Sequence, residues 1–162
     1  MSKVTEHLQQ RGTRYGVMTH ERTYTSIGEA LALGLEADEV AKTILLDLRS
    51  GHAAAIIPAS RRLDMHLVKE AVGDTHVHLA SENEIERDLQ GFELGSLPPL
   101  PSLLGIPAYV DPELLRHETI VFAAGTQTES VQVRTEDLFR GERYTTAPLT
   151  RERDDEREYI GA

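Results

Sequence analysis

Hydrophobic and polar residues along the chain switch between a period of two and the wider spacing of short helices. Tyr15–His20 alternates as a strand, and Ser26-Ile27-Gly28-Glu29 has the S-x-x-E spacing of a capping box, opening a helix that ends near Gly34. Val40–Leu48 is the strongest strand signal. It resumes at Ala53–Ile57 across Arg49-Ser50-Gly51-His52, so the two runs form a hairpin. Asp64 caps a further helix, with Leu63 and Val68 at hydrophobic-staple spacing and Gly73 placed to stop it. His76–Ala80 reads as a strand, and Ser81-Glu82-Asn83-Glu84 repeats the capping box before a short helix ending at Gly91. Ala108–Val110, Thr119–Ala124 and Ser130–Arg134 are further strands, and Thr135–Leu138 is a last helical turn. Hairpins mixed with short helices predict an α+β fold, a mixed and partly barrel-like β-sheet with the helices packed around it.

One stretch breaks this pattern. Phe92 to Pro107 carries four prolines and two glycines, yet also Phe92, Leu94, Leu97, Leu100, Leu103, Leu104 and Ile106. A solvent loop is polar, so a stiff apolar one is expected to pack or to line a pocket.

Composition narrows the classes. The length of 162 residues fits one domain, placed at residues 1–141, with the charged run 142–162 expected as a mobile C-terminal tail. Seventeen basic against 27 acidic residues give a net charge of -10, which excludes a nonspecific DNA coat because such binding rests on lysine and arginine neutralising phosphates. The absence of cysteine removes disulfide scaffolds, thiol nucleophiles and thiolate metal sites. No apolar run approaches the roughly 18 residues of a membrane span, and Met1–His7 lacks a signal-peptide core, so a cytoplasmic protein with no membrane partner is expected.

Among residues able to carry chemistry, Lys42 stands out because it lies inside the best strand, on the face of Val40, Ile44, Leu46 and Leu48. Two readings of it stand on pattern alone: a strand-end lysine that snorkels or pairs with a carboxylate, and a cation at a pocket mouth awaiting a phosphate or carboxylate. Gly95-Ser96-Leu97-Pro98-Pro99 is either an ordinary turn or a rigid loop whose amides hold a developing oxyanion. Arg61 and Arg62 are either solvated or phosphate contacts. His76 and His78 share a strand face, but no further ligand follows at a recognisable spacing, and no metal site is assigned. Neither a nucleophile elbow nor a phosphate-binding or dinucleotide glycine motif is present.

The order of features from about Val17 to Leu138 resembles the YbaK/prolyl-tRNA-synthetase-associated editing domain family, whose free-standing members are aminoacyl-tRNA deacylases. The resemblance rests on Thr19-His20 with Thr25-Ser26, Ala41-Lys42-Thr43-Ile44-Leu45-Leu46, Ile57 to Asp64, Gly95 to Leu100, Gly105 to Asp111, and Ile120 to Gly125. It implies hydrolysis of the ester joining a wrong amino acid to the 3′ end of tRNA, with no metal, no cofactor and no protein nucleophile. The implied partners are the acceptor end of a mischarged tRNA and an aminoacyl-tRNA synthetase. Lys42 matches the strand lysine that holds the terminal nucleotide, and Gly95 to Pro99 matches the loop that shapes the aminoacyl pocket. Catalytic roles accordingly fall on Lys42 and on the Gly95 and Ser96 amides. His20, Thr25 and Ser26 match one polar edge of the pocket, Leu97, Pro98 and Pro99 its wall, and Gly125 with Thr126 the turn closing its far side. Arg61 and Arg62 are the candidate extra phosphate contacts.

Two departures bear on substrate identity. Leu100-Pro101 follows the loop where some relatives carry a glycine or asparagine, and Thr126-Gln127-Thr128 stands where some carry a histidine. A non-catalytic module of the same fold, binding tRNA ends or a synthetase, is the alternative reading.

Overall fold

The structure is a computed structural model, described here for residues 2–153. Its elements run α1 (Lys3–Gln10), β1 (Gly16–Thr19), α2 (Ser26–Leu33), β2 (Ala41–Leu48), β3 (Gly51–Pro58), β4 (Arg61–Leu63), α3 (Met65–Val72), β5 (His78–Leu79), α4 (Glu82–Asp88), α5 (Pro101–Leu104), β6 (Ala108–Val110), β7 (Thr119–Ala123), β8 (Glu129–Arg134), α6 (Thr135–Arg140), β9 (Thr145–Thr146) and β10 (Thr150–Glu152).

Local signals place many of these. The Asp64 carboxylate accepts from the His66 and Leu67 amides at the start of α3, and Gly73 ends that helix in the left-handed conformation a side chain resists. Ser81 and Glu84 form the expected reciprocal capping box on α4. At α2 the cap sits one residue earlier than expected: Thr25, not Ser26, accepts from the Gly28 amide. Glu29 is thereby released from capping.

The β2–β3 hairpin pairs Ala41 with Pro58 through to Leu48 with Gly51 and forms the centre of a five-stranded sheet ordered β5-β2-β3-β6-β9. Its β3–β6 and β6–β9 pairs are parallel and the others antiparallel, so the sheet is mixed as expected. β1, β8 and β7 form a second, antiparallel sheet, joined to the first by a parallel bridge between Val40 and Val121. The expected barrel-like closure is not found among the described residues: the strands fall into sheets of five, three and two. The bridge is a single residue long, too short to continue hydrogen bonding from one sheet into the next.

The main core lies between the two larger sheets. Ala41, Ala54, Ile56, Ala108 and Val110 face Ile120, Phe122, Val131 and Val133, with Val4 and Leu8 of α1 and Leu138 of α6 closing the sides. The other face of β2 and β3 carries Leu46, Ala55 and Ile57, covered by Val68 of α3, Val77 and Leu149. Both faces of β2 are therefore covered, not only the Lys42 face that its pattern marked.

The expected tail also needs correction. Residues 142–152 belong to the folded body: Glu142 pairs with Arg11 at 3.0 Å, Leu149 is fully buried, and β10 pairs antiparallel with β4. The buried Asp111 carboxylate holds this segment by accepting from the Leu149 amide at 2.9 Å and the Thr150 hydroxyl at 2.8 Å. A highly charged sequence concealed the few positions, Leu149 and Thr150 above all, whose burial outweighs the entropy of ordering it. Residues 154–162 of that expectation lie outside the described residues.

Candidate functional site

Three segments distant in sequence meet at one place. The first is His20–Ser26, running from β1 into α2; the second is the Gly95–Leu100 loop; the third is the Gly125–Thr128 turn between β7 and β8. Gly95 has φ of +76° and lies against the Tyr24 carbonyl, where any side chain would collide with backbone. Gln127, nearly buried, ties all three together. Its amide donates to Glu93 Oε1 at 3.1 Å, its side-chain nitrogen to the Leu94 carbonyl at 3.0 Å, and its backbone carbonyl accepts from the Thr23 amide at 2.8 Å. Arg22 donates to its side-chain oxygen at 2.7 Å and to Glu93 at 3.1 Å. The Glu93 amide in turn donates to the Gly125 carbonyl at 3.0 Å, and the His20 amide to that of Thr128 at 3.0 Å.

The expected pocket residues His20, Thr25, Ser26, Gly95 to Pro99, Gly125 and Thr126 are thus carried by one assembly. Ser96 to Leu100 are buried, as a stiff apolar loop requires, with Leu97 packed beside Leu45, Leu89 and Leu104. One expected role is overturned. The Ser96 amide donates to the Glu93 carbonyl at 3.1 Å and its hydroxyl to the same oxygen at 2.6 Å, so Ser96 is committed to the loop's own turn and offers no oxyanion donor. The Gly95 and Leu97 amides, like those of Leu94 and Leu100, have no hydrogen-bond partner among the described residues. The Thr126 hydroxyl is likewise buried without a partner among them.

His20 is engaged at both ring nitrogens. Nδ1 lies 2.7 Å from the Glu21 carbonyl, which only accepts, so this nitrogen carries a proton; Nε2 lies 2.8 Å from Ser130 Oγ. Ser130 is fully buried and also meets the Glu29 carboxylate. Burial pushes Glu29 up to about 6, an effect that the Ser130 hydrogen bond and His20 oppose. Gln127, Glu29 and Ser130 were given no role at the site from the sequence. Only the Glu29 position carried a signal, because an acid one residue past the capping-box position is free to turn inward.

Lys42 makes no hydrogen bond to this assembly. Strand alternation puts it on the face opposite Leu45, and the loop covers the Leu45 face. Lys42 is half-buried and has no hydrogen-bond or ion-pair partner among the described residues. Burial, and secondarily the charge of Arg153, hold its ammonium below the usual lysine range. Two neighbouring cations draw an anion, although the groove beside Arg153 also carries Asp38, Glu113 and Glu152. Arg153 donates to the Ala59 carbonyl at 3.4 Å and lines a groove of about 630 Å³ with Pro58, Ser60, Arg61, Arg116 and Glu152. Arg61 and Arg62 lie on β4, where Arg61 Nε donates to Thr150 Oγ1 at 2.7 Å. No helix among the described residues is long and apolar enough to cross a membrane.

Comparison with known proteins extends these observations. No curated protein matches the chain. Among solved structures, the crystal structure of hypothetical protein APE2540 is 27% identical, with a TM-score of 0.83 over 93% of this chain and 100% of that one. A second, which carries the name "putative trans-editing enzyme for prolyl tRNA synthetase", is 24% identical, with a TM-score of 0.75 over 90% of this chain and 94% of its own. A scaffold protein used for computational epitope grafting shares the fold at a TM-score of 0.80 and 24% identity, over 93% of this chain and 96% of its own. The model of the aminoacyl-tRNA editing domain matches residues 20–140, which span the three converging segments, and the chain belongs to that family.

Proposed function

We propose that this protein is a deacylase that hydrolyses, in trans, the ester bond between a mismatched amino acid and the 3′-terminal adenosine of tRNA. The observation that carries the reading is the convergence of His20–Ser26, Gly95–Pro99 and Gly125–Thr126 around Gln127, with the Gly95 and Leu97 amides left unpaired. An aminoacyl ester is already activated, so its hydrolysis needs a placed water and a stabilised tetrahedral oxyanion more than a strong nucleophile. The Gly95 and Leu97 amides are the donors for that oxyanion. Water adds to the ester carbonyl, the bond to the ribose oxygen breaks, and the water's proton ends on that oxygen. Both His20 nitrogens are occupied, so the base in this scheme is the substrate's own ribose hydroxyl with its ordered water. Leu97, Pro98 and Pro99 set the volume open to the amino acid, so selection is by size.

Lys42, with Arg153 as the neighbour that the sequence left unnoticed, holds an anion of the terminal nucleotide. Arg61 and Arg62 contribute further phosphate contacts, and a synthetase is the candidate protein partner. The test is release of labelled amino acid from a panel of mischarged tRNAs, by wild type and by Lys42→Ala. Release by wild type that falls at least about tenfold in the variant supports the whole scheme. Binding of tRNA without release from any substrate marks the non-catalytic module instead, and release untouched by Lys42→Ala removes only the role of that lysine.

A further inference from the structure

At the opposite end of β2 from Lys42, three adjacent strands place ionisable side chains in one row. Asp47 of β2 stands directly opposite His52 of β3 on one side and His78 of β5 on the other, so the three share a face of the sheet. α4 lies along the same place and contributes Glu84 and Asp88. His52 Nδ1 is 3.8 Å from Asp47 Oδ1, His78 Nε2 is 3.2 Å from Asp47 Oδ2, and donor atoms of Asp47, His52 and Glu84 all lie within 4.8 Å of one another.

The hydrogen bonding around His52 sets its tautomer. Its Nε2 lies 2.8 Å from Asp88 Oδ2, and a carboxylate only accepts, so the proton sits on Nε2 and the neutral ring keeps its lone pair on Nδ1. That Nδ1 is buried and meets no partner at full hydrogen-bond geometry among the described residues, while the Asp88 hydrogen bond, the Leu46 backbone and the Asp47 charge hold the ring above the usual imidazole range, so a metal ion there displaces a proton. Asp88 is itself held by Arg87, whose Nε and Nη2 donate to its two oxygens at 2.8 and 2.9 Å. A histidine oriented by a carboxylate, with its other nitrogen turned to further ligand-bearing side chains, is the arrangement found behind metal-bound imidazoles. Charge agrees: three carboxylates against the Arg87 guanidinium leave two negative charges uncompensated when both imidazoles are neutral, the charge of one divalent ion.

We propose that Asp47, His52, His78 and Glu84 form a site for a borderline divalent cation of the zinc class, with Asp88 and Arg87 orienting His52 from behind. Two imidazoles with carboxylates select zinc-like ions over magnesium or calcium, which prefer oxygen-only ligands. Donor atoms on a tetrahedral zinc stand about 3.3 Å apart for bonds of about 2.0 Å, a contraction that side-chain rotation supplies. Bound there, the ion joins the β2–β3 hairpin and β5 to α4. Leu89, just beyond α4, packs in the same cluster as Leu97, so the ion braces the helix behind the Gly95 loop. It takes no part in the proposed ester chemistry, and its test uses no tRNA.

The experiment is calorimetric titration of Zn²⁺ into the full chain, alongside the Asp47→Asn, His52→Ala and His66→Ala variants. One ion per chain is expected for wild type and for His66→Ala, whose histidine is exposed on α3, with affinity about tenfold or more lower in the other two. Zn²⁺ should raise the melting temperature of wild type and leave that of Asp47→Asn unmoved, a readout that stands even if His52→Ala fails to fold. Absence of Zn²⁺ binding, equal binding by Asp47→Asn, or Mg²⁺ binding as tight as Zn²⁺ overturns the proposal.

Discussion

The α-carbon of Gly95 lies directly against the Tyr24 carbonyl, so that a Cβ built on the glycine would overlap that oxygen and stand 2.9 Å from its carbon. Neither neighbour can yield, because both are backbone. The loop and the entrance to α2 are thereby fixed against each other, and the relationship sets the first expectation.

Gly95→Ala is expected to lower stability by about 1–3 kcal/mol from the left-handed backbone alone, with the collision adding to it, and to abolish deacylation by unseating the loop. Gly125→Ala is the matched comparison. Its φ is +86° too, but its new methyl would meet the Phe92 ring edge at 3.2 Å, which a side-chain shift relieves. Urea unfolding and single-turnover deacylation of the two variants check this; equal losses would mean that the Tyr24 contact does not matter.

Glu29 gives a pH dependence. Its folded value, raised from 4.5 to about 6, favours the protonated form. Its contribution is therefore complete below pH 4.5 and is lost as pH rises through 6, a cost of about 2 kcal/mol at neutral pH. Once Glu29 is ionised, the single Ser130 proton has two acceptors, the carboxylate and His20 Nε2, and the His20 link weakens. Glu29→Gln should remove this slope between pH 4.5 and 7.5 in equilibrium unfolding. An unchanged slope would assign it elsewhere.

Gln127→Leu tests the hub. Leucine keeps much of the volume but leaves the Leu94 carbonyl without its side-chain partner and Arg22 with Glu93 alone, while the Gln127 backbone bonds survive. A loss of about 1–3 kcal/mol is expected for the unsatisfied carbonyl, with deacylation falling further than stability explains. Activity equal to wild type would show that the three segments hold their positions without it.

Removing residues 142–162 is expected to prevent stable folding, because it strips Leu149 from the core and leaves Arg11 without Glu142. Asp111→Ala is the gentler version. It frees the Leu149 amide and the Thr150 hydroxyl and should cost about 3 kcal/mol, read as a lower melting temperature and loss of amide protection in residues 149–152. A truncated chain that melts like wild type would restore the boundary at 141.

Elements whose signals lie within a few residues were readable. The Asp64 cap with its Gly73 stop, the Ser81–Glu84 box and the β2–β3 hairpin each depend on neighbours in sequence. α1 was not, since Val4 and Leu8 are too few to set a period; β4, β9 and β10 span three residues or fewer and owe their pairing to distant partners. The loop at Gly95 was recognisable as stiff and buried. That Ser96 spends its amide on Glu93, or that Gln127 reaches Leu94, is a matter of how the chain returns on itself, and no local pattern encodes it.

The β1–β8 pairing has a consequence in time. His20 meets Ser130 across 110 residues, Arg22 meets Gln127 across 105, and Arg11 meets Glu142 across 131. A chain emerging from the ribosome thus holds its first pocket segment without its Gln127 and Ser130 partners until residue 130 has been made. Non-local strand pairing of this kind places refolding in the millisecond-to-second range, on the order of 1 ms to 1 s. The converging site is accordingly completed late, and no nascent fragment that ends before residue 130 holds all three of its segments together with Ser130.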